Sequence, residues 1–193
     1  MSHNALFQLA TLVLMAVFYV AYFAKQISQR KQGVSTMILG KGDKPGGQKR
    51  IESLPKAATF GMPAVEIASI WLNRMPVPLW LRVAGMAVAA TGVAFFIAGM
   101  LTMKGSWRAG IPEKRETALV KEGIYRISRN PAFVGFDLMY IGILLAFPNA
   151  WHAAAVAITL VLFHKQILGE ELFLEGAFGE EYADYKKRVR RYL

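Results

Sequence analysis

Two groups of polar residues flank an apolar segment near the C-terminus, and their types suit the binding of a charged small molecule. The first is Arg129-Asn130-Pro131, and the second contains Glu170 and Glu171. Pro131 removes a backbone donor and biases Asn130 away from helical dihedrals, which places Asn130 at a helix start. The free N–H groups of that turn favour a carboxylate, whereas the glutamates accept hydrogen bonds from ribose hydroxyls or an ammonium group. We therefore expect both ends of one membrane hairpin to form a site for a zwitterionic, sugar-bearing molecule.

Each polar group also has a purely structural explanation. An Asn-Pro pair at a helix start is often only a cap, and a glutamate pair at a membrane border often only contacts headgroups. Asp137 is different, because an acid within a transmembrane segment is costly and marks a functional site by default. Its structural alternative is an ion pair with Arg129 or Arg126. For Glu66, another acid in an apolar segment, the expected partner is Arg82.

Long apolar runs identify the elements that position these groups as membrane helices. The chain has 193 residues, of which 54% are hydrophobic and 19% charged. Three runs have at most one charge each, and each is about long enough to cross a hydrocarbon layer of roughly 30 Å; they are 4–24, 79–103 and 149–168. Two shorter apolar segments, 57–72 and 133–147, complete a predicted set of five transmembrane helices.

Basic residues predict the orientation of this bundle. Residues 25–57 carry eight Lys and Arg against two acids, residues 104–132 seven against three, and the tail from 164 six against six. Under the positive-inside rule, five spans place the N-terminus outside and the C-terminus in the cytoplasm. Orientation and anionic lipid headgroups therefore account for the net charge of +10, and no nucleic acid partner is indicated.

The remaining segments complete an all-α, polytopic membrane helical bundle with a short C-terminal amphipathic helix. The Gly- and Lys-rich stretch 25–56 predicts a loop. Gly85, Gly92 and Gly99, seven residues apart, predict close helix packing in lipid. In the tail, Gly179 separates the fifth helix from one that Glu180 begins and Arg191 ends, in accord with the helix dipole. We divide the chain into 1–103, the N-terminal transmembrane helices, and 104–193, the candidate catalytic half.

Several kinds of chemistry are excluded by composition. The chain has no cysteine, which excludes disulfides, thiolate catalysis and cysteine-ligated metal. His152 and His164 share one span without a nearby acidic cluster, so no metal site is expected. No glycine-rich phosphate loop and no Ser-His-Asp order is present.

Three motifs together resemble one enzyme family. They are Leu-Val-Lys-Glu-Gly-Ile-Tyr-Arg at 119–126, Arg-Asn-Pro-Ala-Phe-Val-Gly at 129–135, and the glutamates, glycine and tyrosines of 170–185. Over about residues 100–193, this pattern is similar to isoprenylcysteine carboxyl methyltransferases and the related phospholipid N-methyltransferases, in a bacterial-type form. The resemblance implies an enzyme, expected in a bacterial inner membrane, whose active site faces the cytoplasm.

The resemblance implies S-adenosylmethionine as cofactor, bound between the last two spans and the C-terminal segment. The implied cofactor-binding residues are Lys121, Gly123, Ile124, Tyr125, Asn130, Pro131, Phe133, Glu170 and Glu171. Glu171 and Arg191 are the implied catalytic residues, and Arg191 suits an anionic acceptor. Trp107, Arg108 and Asp137 are the expected contacts of the acceptor, whose lipid portion would arrive sideways between the spans.

Two departures from the family pattern keep the acceptor open. Carboxyl methyltransferases of the family usually have histidine where this chain has Asn130, and asparagine donates a hydrogen bond but cannot become cationic. Phe133 likewise replaces an aromatic hydroxyl. We expect methyl transfer to a lipid-like or apolar acceptor, such as a prenylated cysteine carboxylate. The alternatives are a phospholipid amine, a small apolar thiol or acid, a non-catalytic membrane scaffold, and a sterol-type reductase; the cofactor that copurifies would discriminate among these classes.

Overall fold

Six α-helices form the architecture of the computed structural model, which describes residues 3–31, 46–73, 75–107 and 118–193. Within those ranges, the helices are α1 (His3–Lys31), α2 (Gly46–Leu72), α3 (Leu79–Met103), α4 (Pro131–Ala146), α5 (Ala150–Phe178) and α6 (Glu180–Arg188), with 3-10 turns at Lys104–Ser106 and Gly123–Arg126. The all-α fold class is therefore confirmed.

Length and hydropathy make this bundle an integral membrane protein. Three segments of the described chain are long and apolar enough to cross a membrane, namely Asn4–Lys31, Leu79–Ser106 and Ala150–Phe178. Helix α4 is apolar but shorter. It packs closely along α3 and more sparsely on α5.

The prediction of a loop over the whole of 25–56 is wrong at both ends. Helix α1 continues to Lys31 and α2 already begins at Gly46, while residues 32–45 lie outside the described ranges. The buried Gln29 amide donates hydrogen bonds to the carbonyls of Lys104 and Gly105, at 3.3 and 3.1 Å. This tertiary contact extends α1 beyond its apolar run, which sequence periodicity alone does not reveal.

The glycine stripe of α3 brings its backbone against that of α4. A Cβ atom added to Gly92 would lie 2.5 Å from the Met139 nitrogen, and one on Gly142 would lie 2.4 Å from the Ala89 nitrogen. Real Cβ atoms do not approach so closely, so only glycine permits this packing. The predicted role of the stripe in close helix packing is confirmed.

The last glycine of the stripe sets the position of the start of α4. A Cβ atom on Gly99 would lie 3.3 Å from the Pro131 ring. Pro131 occupies the first turn of α4, as predicted, and Asn130 is its N-cap residue. Packing within the membrane thus determines where Asn130 stands.

The tail begins as predicted but its helix is shorter than expected. Gly179 has φ +52°, a left-handed conformation that glycine tolerates, and it separates α5 from α6. Helix α6 ends at Arg188 and not at Arg191. The backbone becomes extended at Val189. There the carbonyl groups of Val189 and Arg190 accept hydrogen bonds from Arg129, in the segment that precedes α4.

The predicted pairing of Glu66 with Arg82 is wrong. Glu66 is fully buried, and neither carboxylate oxygen has a hydrogen-bond partner among the described residues. Arg82 lies in the first turn of α3 and donates a hydrogen bond to Asn4 Oδ1 at 2.5 Å. The two residues stand on different helices whose rotation about their axes is not readable from composition.

Candidate functional site

The start of α4 and the C-terminal part of α5 meet, as the hairpin pattern predicts. The Asn130 side chain does not cap its own helix. Its amide instead donates to Glu171 Oε1 at 3.4 Å and to the Arg191 carbonyl at 3.2 Å. Three segments that are distant in sequence are therefore joined through one amide group.

Glu171 is held by two arginines, one on each side. Arg129 donates to Oε1 from Nη2 at 2.8 Å and from Nε at 3.2 Å, and Arg191 donates to Oε2 from Nη2 at 2.8 Å and from Nε at 3.1 Å. The side chains of Glu171 and Arg129 are only 5% and 8% exposed, whereas Arg191 is 33% exposed. We call Arg129, Asn130, Glu171 and Arg191 the Glu171 cluster.

The C-terminal tail closes over this cluster through its backbone. Arg129 donates from Nη1 to the Val189 carbonyl at 2.6 Å and from its backbone N–H to the Arg190 carbonyl at 2.9 Å. The fully buried Ser128 hydroxyl accepts a hydrogen bond from the Asn130 N–H and donates to the Arg191 carbonyl. The tail therefore forms one wall of the site.

A side-chain contact fixes the end of that tail on α5. The Tyr192 hydroxyl lies 2.5 Å from His164 Nδ1, and the two rings stack with centroids 6.2 Å apart. His164 thus serves to anchor the tail. The described residues contain no group of three or more His, Asp or Glu side chains that could hold a metal ion.

The electrostatics of the cluster favour an anionic ligand. Two arginines and one glutamate give it a formal charge of +1. The hydrogen bonds that Arg191 donates to Glu171 raise the pKa of its guanidinium above the usual value. Arg191 is the more exposed of the two arginines, so its cation is the one available to a carboxylate or phosphate.

The 3-10 turn before α4 docks beside the cluster on α6. The Tyr185 hydroxyl donates to the Tyr125 carbonyl at 2.7 Å, and burial raises the pKa of Tyr185 to about 12. The Ile124 carbonyl accepts from the Ser128 N–H at 3.2 Å. The same turn therefore connects the tail helix to the residue that precedes Arg129.

Lys121 and Gly123 hold the beginning of this turn. Lys121 forms an ion pair with Glu181 of α6 at 2.8 Å, with both side chains more than a third exposed. Gly123 has φ +56°, and a Cβ atom there would lie 3.0 Å from the Thr102 hydroxyl. Glycine is needed at this position both for its backbone conformation and for the close approach to α3.

Phe133 and Asp137 lie one turn apart on the side of α4 that faces α5. The Phe133 ring contacts Phe163 with centroids 5.4 Å apart. Asp137 Oδ1 is buried without a hydrogen-bond partner in the described part of the chain. The ion pair with Arg129 or Arg126, which was its structural alternative, is not among the ion pairs of the described residues. Arg129 turns instead to Glu171 and the tail carbonyls, which together offer it several acceptors.

Two other predicted site residues, Glu170 and Trp107, have contacts of their own. Glu170 accepts a hydrogen bond from Gln166 one turn earlier in α5, at 2.9 Å. Trp107 is buried, and its ring packs edge-on against Tyr22 of α1 at 5.7 Å. Its contact with an acceptor stays a prediction. Arg108 lies outside the described residues.

Two contributors to the site were missing from the sequence-based site residues. Arg129 stands within the Arg-Asn-Pro motif, but the one partner that the sequence suggests for its side chain is Asp137. Ser128 is buried next to it and connects Asn130 to the tail. The position of Arg129 in the motif was a sequence signal for its role in the site. The carbonyl groups of the tail that accept hydrogen bonds had no such signal in the sequence.

The fold and the cluster define a helical membrane protein with a buried ionic site where α4, α5 and the tail meet. A model of the phospholipid methyltransferase family matches residues 80–181, just over half of the chain. The chain belongs to this family. The matched region runs from the start of α3 to the start of α6 and includes every member of the cluster except Arg191.

Similar proteins carry the names of methyltransferases. The chain is 34% identical to human protein-S-isoprenylcysteine O-methyltransferase over 113 residues, which cover 57% of this chain and 40% of that protein. It is 30% identical to protein-S-isoprenylcysteine O-methyltransferase B of Arabidopsis thaliana over 113 residues, 57% of either chain. The chain thus matches less than two thirds of the length of these relatives.

A solved structure shares the fold over nearly the whole chain. It is that of a eukaryotic intramembrane Ras methyltransferase, an isoprenylcysteine carboxyl methyltransferase, with a TM-score of 0.65 and 21% sequence identity. The likeness covers 96% of this chain and 65% of that chain. At this identity the comparison establishes the helical membrane fold.

Proposed function

We propose that this protein is an integral membrane methyltransferase that uses S-adenosylmethionine and transfers its methyl group to a lipid-like acceptor. The observation that carries the proposal is the Glu171 cluster, in which an amide, a carboxylate and two guanidinium groups converge within hydrogen-bond distance. Family membership and the methyltransferase names of the relatives support it.

The polar groups of the cluster fit S-adenosylmethionine, which has a carboxylate, an ammonium group and ribose hydroxyls. Asn130 and the guanidinium groups would donate to the carboxylate, and Glu171 would accept from the ammonium or a hydroxyl. Glu170 and the turn that contains Tyr125 would line the same site. Phe133 would supply an apolar contact beside Asn130.

When bound, S-adenosylmethionine supplies a methyl group that its sulfonium already activates. The protein therefore mainly has to align donor and acceptor and to exclude water. The tail would help to exclude water. Tyr192 is fixed on α5, and the carbonyl groups of residues 189–191 accept hydrogen bonds from the segment before α4. Arg191 would orient an anionic acceptor, and a carboxylate acceptor needs no general base.

A prenylated cysteine carboxylate is the acceptor that the relatives' names suggest for this site. Arg191 supports it by its exposure and positive charge. The charge pattern of the loops favours a cytoplasmic active site and an outside N-terminus. The proposed location is a bacterial inner membrane. The lipid-like group of the acceptor would enter the site between the transmembrane helices.

Cofactor binding tests the proposal through two asparagines, each of which directly precedes a helix. We expect Asn130→Ala to weaken binding of labelled S-adenosylmethionine by about tenfold or more, since a hydrogen bond to a charged group is lost. Asn149→Ala is the matched control, because Asn149 caps the N-terminus of α5, the helix end remote from Glu171. Undiminished binding in Asn130→Ala, or an equal loss in both variants, would contradict the proposed site.

A phospholipid amine is the second candidate acceptor, and Asp137 is the observation that favours it. Asp137 follows Phe133 by four residues and precedes Tyr140 by three, and both of those rings contact Phe163 of α5. Its buried Oδ1 lacks a hydrogen-bond partner among the described residues. A carboxylate in that position would attract an ammonium group and repel a carboxylate acceptor.

Asp137→Asn separates the two acceptors. If the acceptor is an aminophospholipid, we expect the variant to bind the cofactor normally but to lose most methylation of the amine. The amide can neither hold the ammonium group nor accept the proton that the nitrogen must lose before it attacks the methyl group. The measurement is transfer of radiolabelled methyl to phosphatidylethanolamine and to a prenylcysteine, compared in wild type and variant. Full amine methylation by Asp137→Asn would rule out this role of Asp137.

A further inference from the structure

A cavity of about 460 Å³ lies at the end of the bundle remote from the Glu171 cluster. Its lining comes from the start of α1, the connection between α2 and α3, and the first turn of α3, and includes Asn4, Phe7 and Arg82. Helix α3 has 25 residues, about 37 Å at 1.5 Å per residue, and its other end adjoins Pro131. The methyltransferase proposal assigns no role to this cavity.

Arg82 places a positive charge in the cavity. Its guanidinium lies 5.8 Å from the centre of the Phe7 ring and 5.3 Å from that of Phe147. The one hydrogen bond that its side chain makes within the described ranges goes to Asn4 Oδ1. Because a guanidinium has five N–H donors, most of its donors are available to a ligand.

The chain segments that form this end of the bundle carry no acidic residue in sequence. The sequence contains no Asp or Glu in 1–42, 67–112 or 138–169, the segments that supply all the helix ends around this cavity. The charge at this end therefore complements an anion and not a cation.

Exposed tryptophans indicate that the cavity lies at the depth of lipid headgroups. Trp80, Trp71 and Trp151 are 70%, 62% and 44% exposed, and they stand at the ends of α3, α2 and α5 that meet here. Tryptophan side chains in such positions mark the interface between hydrocarbon and water. Leu79 and Val83, more than half exposed on α3, continue the surface toward the hydrocarbon layer.

We infer that this cavity binds the headgroup of an anionic phospholipid, with the phosphate against Arg82 and Asn4 and the acyl chains along the exposed face of α3. The cavity volume lies within the usual range for small-ligand sites. A charge-assisted hydrogen bond from Arg82 provides the recognition, and the rings of Phe7 and Phe147 hold its guanidinium in place.

Native mass spectrometry of the full-length protein in an uncharged detergent tests this site. Phosphatidylglycerol and phosphatidylcholine with the same acyl chains are titrated separately, and inorganic phosphate is then added as a competitor. We expect wild type to bind one phosphatidylglycerol about tenfold more tightly than phosphatidylcholine, and Arg82→Gln to lose that preference. Arg82→Lys keeps the charge and should retain part of it. Millimolar phosphate should not displace the lipid.

A matched control removes the same charge at the other end of the bundle. Arg188→Gln alters an exposed arginine of α6 and should leave the phosphatidylglycerol preference unchanged. The inference is overturned if wild type binds both lipids equally, if Arg82→Gln keeps the preference, or if Arg188→Gln loses as much. If inorganic phosphate displaces the lipid, the site binds free phosphate and the inference of a lipid ligand is overturned. If Arg82→Gln does not fold, Asn4→Ala replaces it, with a weakened preference expected and an unchanged one contradicting the site.

Discussion

Replacing Glu171 by glutamine is expected to lower the stability of the protein by about 3–5 kcal/mol, because it leaves a buried charge without its partner. Arg129 is 8% exposed, and its remaining acceptors are the carbonyls of Lys186 and Val189. A neutral amide accepts hydrogen bonds but does not compensate the positive charge. The measurement is the thermal unfolding temperature in detergent, followed by circular dichroism.

Glu175→Gln provides a control on the same helix, one turn later. Glu175 forms an ion pair with Lys186 in which both side chains are about 40% exposed. Exposed pairs contribute at most about 1 kcal/mol, so this variant should unfold near the wild-type temperature. Equal falls in unfolding temperature in the two variants would show that the Glu171 cluster stabilises the protein no more than an exposed ion pair does.

Loss of cofactor binding is expected in Glu171→Gln beyond what the stability loss explains. At a temperature where the variant is still folded, labelled S-adenosylmethionine should bind at least about tenfold more weakly, since a charged acceptor for the ammonium or ribose is removed. If the folded variant binds S-adenosylmethionine with wild-type affinity, Glu171 has a structural role and no role in cofactor binding.

Local rules predicted those parts of the structure that single residues determine. Pro131 at the first turn of α4, Gly179 between α5 and α6, and the packing role of Gly92 are where the sequence placed them. Each follows from a backbone property, namely a missing N–H, a left-handed φ or the absence of a Cβ atom. Such properties act within a few residues and are therefore readable from sequence.

The choice of ionic partners was not readable in the same way. By sequence, Asp137 had two candidate arginines, Arg129 and Arg126, but the structure pairs Arg129 with Glu171, 42 positions away. The outcome depends on how α4 and α5 are rotated and on the carbonyl groups of the tail. Backbone carbonyls are present at every residue, so composition gives no signal for which of them will accept.

The prediction of helix boundaries in the basic stretch 25–56 was wrong for a related reason. Glycine and lysine at 25–56 favour a loop by local propensity, but α1 continues to Lys31 and α2 begins at Gly46. Gln29 is held by carbonyls at the end of α3. For α1, tertiary contacts with residues about 75 positions away therefore override the local preference.

The second large effect is expected at Gly142, where α4 lies closest to α3. In Gly142→Ala, the new Cβ atom would stand 2.4 Å from the Ala89 nitrogen and 2.5 Å from the Gly85 carbonyl oxygen. Both are backbone atoms, so no side-chain rotation relieves the contact and the helices must separate. We expect a loss of about 1–3 kcal/mol or more, measured as a fall in thermal unfolding temperature.

Gly176→Ala is the matched control, because a Cβ atom there meets nothing within 4 Å. Alanine favours a helix over glycine by up to about 1 kcal/mol, so this variant should be neutral or slightly more stable. Separation of α3 and α4 should also move Pro131 away from Gly99 and thereby displace Asn130. Gly142→Ala is therefore expected to weaken cofactor binding from a position about three turns along α4 from Asn130. Normal affinity in that variant would show that the α3–α4 contact does not position the site.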